Sequence, residues 1–354
     1  MRVNPRTATT ALVLLCAAGL AFPGGLAAQT MGWDELRAMV ERSVHLRAPD
    51  AQTAARLRKV QPAEAVPADA AERAASWDAG PLTQQELRRI ADRSAGKPAP
   101  GEAASLRKSP RGMQPIRGGE HAVVLELVRM YAQEYSASIP NFLCYRNTRF
   151  LEERSPLGRW KLDTELKERL SHAGDEDKHE IVAIDGEEVE GKVLFFSAGL
   201  TVSGEFGNVM RRVFEPETET TFTWMEGDPG AEATVVLGFE VSEEKSSMRI
   251  SAGDEEATVG YVGEVYASPS TGQIFRIRLT MNELPKGHPI RGATWDIHYG
   301  PVKVEEQELL LPVRAAVEAH QQGRFVRNEA TYTDYQKYTA ASSIQFGETV
   351  SAPE

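Results

Sequence analysis

Two cysteines stand in 354 residues, Cys16 and Cys144. Cys16 lies inside an apolar run near the N-terminus. A chain that loses that run keeps Cys144 alone and can form no intrachain disulfide. Between Leu143 and Tyr145, that thiol reads as a packed strand residue, cysteine being among the most buried residue types. Catalytic spacings are missing too. His179-Glu180 stands alone, with no His-Glu-x-x-His, and Ser197 and Ser203 lack the flanks of a Gly-x-Ser-x-Gly elbow. Gly204 and Gly207 do not complete Gly-x-Gly-x-x-Gly, and there is no phosphate loop. The acidic run Gly174-Asp175-Glu176-Asp177 lacks the spacing and glycine of a calcium loop and reads as a solvated turn. No catalytic residue, metal or cofactor is expected, and no repeat of fixed period is found.

The first 28 residues differ from the rest. Arg2 and Arg6 form a basic start, Ala8 to Phe22 is mostly apolar, and Gly25-Leu26-Ala27 fits a small-x-small cleavage site. This is the pattern of a secretory signal peptide, too short in its apolar part for a membrane anchor. It predicts a periplasmic or otherwise exported protein with no transmembrane segment after cleavage.

Charge is uneven. The formal net charge is −11, and residues 29–117 hold 15 basic and 11 acidic side chains against 23 and 40 in residues 118–354. So acidic a C-terminal part argues against nucleic acid and against an anionic membrane surface.

Residues 29–118 read as a low-complexity, largely disordered arm with short helices. Trp33 to Arg42 forms one amphipathic stretch and Leu82 to Ser94 another, with Thr83 and Glu86 at capping-box spacing. Residues 48–80 are poor in aromatics and rich in Ala, Pro and charge, which offers little to bury against ordering entropy. Prolines and glycines in residues 95–118 read as a flexible linker, placing a domain boundary near Gly119.

Residues 119–354 read as one domain. Val124, Leu127, Val128 and Tyr131 mark a helix from Glu120 to Tyr135, and Phe142 to Glu153 a first strand. Trp160 to Leu170 and His179 to Ile184 form a hairpin, and residues 194–202 mix apolar and small residues. Phe206, Val209, Met210, Val213 and Phe214 repeat at i, i+3, i+4, i+7 and i+8, with Ser203 as N-cap and Pro216 as stop. This short amphipathic helix either covers the sheet or gates a cavity behind it.

From about residue 233 to 346 the pattern is a ladder of period two. Val235 to Val241, Val259 to Ala267, Phe275 to Met281, Trp295 to Tyr299 and Leu309 to Val317 alternate in turn, with a last pair in Phe325 to Tyr338 and Ser343 to Phe346. Short turns favour antiparallel neighbours, so a single large antiparallel meander with one apolar face is expected. Asp296 and His298 share a strand face, with His288 near in sequence. They could begin an acid–base site, as in a hydrolase, or pair outward across the hairpin with Arg276 and Arg278.

Tyr266-Ala267-Ser268-Pro269-Ser270-Thr271-Gly272-Gln273-Ile274-Phe275-Arg276-Ile277 resembles the strand, Thr-Gly turn and Arg-bearing strand of periplasmic outer-membrane lipoprotein-sorting (lipoprotein carrier-like) proteins. Tyr299-Gly300-Pro301-Val302 with Leu309-Leu310-Leu311-Pro312-Val313 is similar to their next hairpin, and Thr333 to Tyr338 to their closing strand. Pro140-Asn141-Phe142-Leu143-Cys144 and Gly204-Glu205-Phe206-Gly207 resemble uncharacterised secreted proteins of acidobacterial type. The resemblance spans residues 119–348. It implies an α+β fold, a large curved antiparallel β-sheet open as a half-barrel, with a few covering helices. In carriers the apolar hollow holds lipoprotein acyl chains; in related members the fold serves as a periplasmic sensor or regulator.

The leading expectation is a non-enzymatic cell-envelope protein that binds a lipid or lipoprotein acyl chain. Its candidate lining is Phe206, Val209, Met210, Val213, Phe214, Trp295, Ile297 and Tyr299. The alternative is a periplasmic interaction or regulatory module contacting envelope proteins.

Overall fold

The computed structural model describes residues 29–100, 106–153, 160–173, 176–189, 206–225, 234–252, 255–282 and 284–337. The expected leader, the 194–202 stretch, the Ser203 cap and the 343–346 strand lie outside the described residues.

The chain opens with β1 (Gln29–Met31), α1 (Trp33–His45), α2 (Asp50–Leu57), β2 (Val60–Pro62), α3 (Ala70–Ala75) and α4 (Pro81–Ser94). This overturns the disordered arm expected for this region. Trp33, Leu36 and Val40 of α1 meet Leu57, Leu87 and Ile90 in a core of their own. Much of the rest of that core is alanine: Ala70, Ala71, Ala74 and Ala79 are buried. Alanine gives helices a close approach at no side-chain entropy cost, so a segment poor in large apolar residues still packs. Polar ties close the remainder. Asp50 accepts from the Leu82 and Thr83 amides at 2.9 and 2.8 Å and from Thr83 Oγ1 at 2.7 Å, capping α4 from another helix. The expected Thr83–Glu86 capping box therefore does not form. Gly80 is the N-cap, where a Cβ would lie 2.2 Å from Asp50 Cγ. Glu86 is buried instead, accepting from Arg58 at 2.8 Å and Arg89 at 2.9 Å.

The expected linker is docked where it is described. Trp77 Nε1 donates to the Arg107 carbonyl at 2.9 Å, the Ser109 amide to Ser76 Oγ at 2.8 Å, and the Ile116 amide to the Phe222 carbonyl at 2.8 Å.

Helix α5 (Gly119–Ser138) leads into β3 (Phe142–Glu153), β4 (Lys161–Ala173), β5 (Glu176–Ile184) and β6 (Glu187–Glu188). Then follow α6 (Asn208–Phe214), β7 (Thr221–Trp224), β8 (Val235–Val241), and the small hairpin β9 (Arg249–Ala252) and β10 (Glu255–Thr258). The rest is β11 (Gly260–Ala267), β12 (Ile274–Asn282), β13 (Ile290–Val304), β14 (Gln307–Gln321) and β15 (Arg324–Lys337).

Eleven strands make one antiparallel sheet in the order β6-β5-β4-β3-β15-β14-β13-β12-β11-β8-β7. The sheet is not closed, and the fold is an α+β open half-barrel. It is not a simple meander. The chain walks from β3 to one edge, crosses to the other, and walks back until β15 pairs with β3. Residues more than 170 apart become neighbours there, as Phe325 pairs with Glu153. Helix α6 lies on the crossing between the two edges.

The N-terminal helices cover part of one sheet face. Glu153, 2 % exposed, accepts from Arg42 of α1 and from Arg56 of α2 at 3.3 Å. A Cβ on Gly292 would meet the Leu46 carbonyl carbon at 2.8 Å, so glycine there lets the end of α1 settle on β13. Every residue of β11 is buried, as expected of a strand covered on both sides.

Candidate functional site

Alternation along the strands sends two chemistries to opposite faces. Ile277, Leu279, Trp295, Ile297 and Tyr299 turn toward α5 and α6. With Phe142, Cys144, Phe239 and Tyr261 they form the main core. The eight candidate lining residues all join this single cluster. Phe206 packs at 5.1 Å from the Phe142 ring and edge-on at 5.5 Å from Tyr332. Phe214 stacks on Phe222 at 4.9 Å. Two polar ties anchor α6: Thr220 Oγ1 donates to the Val213 carbonyl at 2.7 Å and Tyr261 Oη to the Arg212 carbonyl at 3.4 Å.

The hollow is filled beside α6. Among the described residues, Val209, Met210 and Val213 are 0 % exposed. Helix α5 contributes Leu125, Val128, Ala132 and Tyr135, at i, i+3, i+7 and i+10. The sequence pattern places this helix but puts its stripe one residue off: Val124, Leu127 and Tyr131 are only half-buried. Tyr135 Oη donates to the Leu310 carbonyl at 2.9 Å and Tyr335 Oη to the Pro312 carbonyl at 2.6 Å. Burial, then Tyr299 and the other nearby tyrosines, push the Tyr135 phenol well above its ordinary pKa, so it stays a neutral donor. The sequence pattern did not assign Tyr135 or Tyr335 to the hollow; Tyr135, one turn after Tyr131, was the available signal.

The opposite face carries the charges. Arg276 grips Asp296 with two hydrogen bonds, from Nε at 2.7 Å and a terminal nitrogen at 2.6 Å. His298 Nε2 lies 3.2 Å from Asp296 Oδ1, and Arg314 lies 3.2 Å from His298 Nδ1. The cross-strand pairing with arginine expected from sequence is present, with Arg276 opposite His298 and Arg278 opposite Asp296. It does not simply face outward: Arg278 reaches Glu41 and His45 of α1, both at 3.1 Å. Burial raises the Asp296 carboxyl, but hydrogen bonds from His298 and Arg276 and the charges of Arg276 and Arg278 outweigh it. They hold the group well below the usual carboxylate range. A carboxylate so held is a poor proton acceptor. His288 joins neither residue; its Nδ1 accepts from the Ile290 amide at 3.2 Å. Asp296 and His298 thus belong to an ion-pair net.

No family model matches the chain, and no curated protein matches it at a significant level. Among solved structures it is similar to a domain described as an outer membrane lipoprotein-sorting protein from Vibrio parahaemolyticus, at 12 % identity and a TM-score of 0.35, over 63 % of this chain and 94 % of that one. A LolA superfamily protein from Nitrosomonas europaea matches at 13 % identity and 0.33, over 60 % and 93 %. A DUF1329 family protein from Desulfovibrio piger matches at 9 % identity and 0.32, over 63 % and 95 %. The likeness is one of fold. The overlap is loose, and the architecture rests on the strand pairing itself. No described helix is long and apolar enough to cross a membrane.

Proposed function

We propose that this chain is a non-enzymatic cell-envelope protein whose apolar sheet face takes a lipid or lipoprotein acyl chain in place of α6. Residues 1–28 serve as the export leader, and the mature chain works in the periplasm. The observation that carries the reading is α6 itself. A seven-residue helix on the edge-to-edge crossing fills the apolar face with Val209, Met210, Val213 and Phe214. Apolar contact is non-directional, so an acyl chain that covers the same surface recovers most of what the helix supplied. Phe206, Trp295, Ile297 and Tyr299 complete the lining.

Native mass spectrometry of the mature chain, purified gently from an envelope-bearing host, tests this. The expected result is a stoichiometric apolar adduct that organic extraction removes and added lipid restores. A clean apo mass with no uptake of added lipid sinks the reading.

One observation favours the alternative of an envelope-protein interaction module. The hollow is already closed by its own side chains, while α5 leaves Val123 63 % and Met130 51 % exposed on its other side. An apo mass together with capture of an envelope protein that Val123→Ser and Met130→Ser abolish would establish that role.

A further inference from the structure

Between α1, Trp77 and the charged face of β11 and β12 lies a cavity of about 160 Å³. It is separate from the apolar hollow. Its wall carries four arginines, Arg37, Arg107, Arg276 and Arg278, in a chain whose net charge is −11. Two acids share the wall, Glu41 and Glu264, and Asp296 stands behind Arg276. Glu41 is shared, taking Arg37 at 3.0 Å on one oxygen and Arg278 at 3.1 Å on the other. Glu264 lies 3.7 Å from Arg107 and accepts from Tyr266 Oη at 2.6 Å. Asp34 is 3.7 Å from Arg37, but its side chain is 68 % exposed and screened by water.

His45 adds an unanswered donor. Arg278 can only donate, so the facing His45 Nδ1 accepts and the ring proton sits on Nε2. Nε2 is buried with no hydrogen-bond partner, and the residue is 5 % exposed. Arg37 Nε is likewise buried and unanswered. Burial, and then Arg278, push the imidazole down to about 3, so it is neutral at physiological pH. Two buried N–H donors without an acceptor are costly unless one meets them.

We propose that this cavity binds a small oxyanion, a carboxylate or a phosphate. Guanidinium forks suit both groups, and Trp77 and Tyr266 supply flat walls for an attached organic part. The size fits: an engineered cavity of roughly 150 Å³ admits benzene. The anion would brace α1 against the sheet, since its ligands come from both.

Calorimetric titration of the chain from Gln29 onward tests this, with inorganic phosphate, succinate and benzoate used separately. The expected result is saturable one-to-one binding of at least one probe, phosphate alone or the carboxylates alone identifying the source chemistry. Thr280→Leu narrows the cavity without touching a charge, and Arg107→Gln removes one cation. Each should weaken binding about tenfold or more in a chain that still unfolds in one cooperative step. No saturable binding of any probe means the cavity holds only water and overturns the proposal. Binding that survives Arg107→Gln overturns it as well, whether or not Thr280→Leu folds.

Discussion

On β12, Ile277 and Leu279 turn into a core of aliphatic and aromatic side chains. Arg276 and Arg278, one residue along, turn into ion pairs beneath α1. One face is held by apolar contact that any apolar surface could replace; the other by named partners at fixed distances. The first arrangement is indifferent to what fills it, which suits a ligand site. The second fixes where α1 and α2 sit. A charged residue at alternate strand positions is therefore no guarantee of solvent on that side.

The comparison can be broken from either side. The largest effect belongs to the apolar face. Phe239 is wholly buried there, and Phe239→Ala should cost about 3–5 kcal/mol in denaturant unfolding, with little dependence on salt. On the ionic face, Glu153→Ala leaves Arg56 without its carboxylate and Arg42 with Glu318 alone, and should cost about 3 kcal/mol. Protease should then cut first in residues 29–98, ahead of the sheet.

The ionic face also has a pH signature that the apolar face lacks. Burial and then Arg278 hold the folded His45 down to about 3, whereas an unfolded histidine titrates near 6.5. The unfolded chain thus binds a proton that the folded chain refuses. Stability should fall as pH drops from 6.5 toward 3, by up to about 1.4 kcal/mol per pH unit, and not change on this account above 6.5. Glu41, Arg37 and Arg278 face the same space, and Glu41 and Asp296, both held below their ordinary values, lose stability in the same direction at the acid end. Chemical unfolding of His45→Gln beside the parent isolates the imidazole: the slope between pH 4 and 6 should be shallower in the variant. The smallest effect is at α4, where Asp50→Ala should cost about 1 kcal/mol, read as a lower melting temperature.

The strands were legible because their alternation is local. Phe142–Glu153 and Val235–Val241 read from the pattern with the same bounds the structure has. The amphipathic repeat of Phe206 to Phe214 likewise marked α6 and its buried face. Their spatial order was not legible, since nothing near Phe325 says that it pairs with Glu153. The N-terminal helices were misread for a physical reason. Their core rests on alanines and on distant polar ties, such as Asp50 to Thr83 and Glu153 to Arg42, which no count of large apolar residues registers. The eight candidate residues were legible as one buried set because α6 and β13 each carry a clear stripe. That α5 and α6 would fill the space between them depends on side-chain fit, which periodicity does not encode.

The measurement that bears most directly on the central claim, that α6 leaves the apolar face to admit a ligand, uses Cys144. It is buried in the same cluster and is the only cysteine after residue 28. Its alkylation rate in native buffer, converted to an opening free energy, can be set beside the free energy of global unfolding. The opening free energy should lie well below the global value, and labelling should slow when a long-chain fatty acid occupies the face. Labelling that tracks global unfolding, with or without the fatty acid, would contradict it.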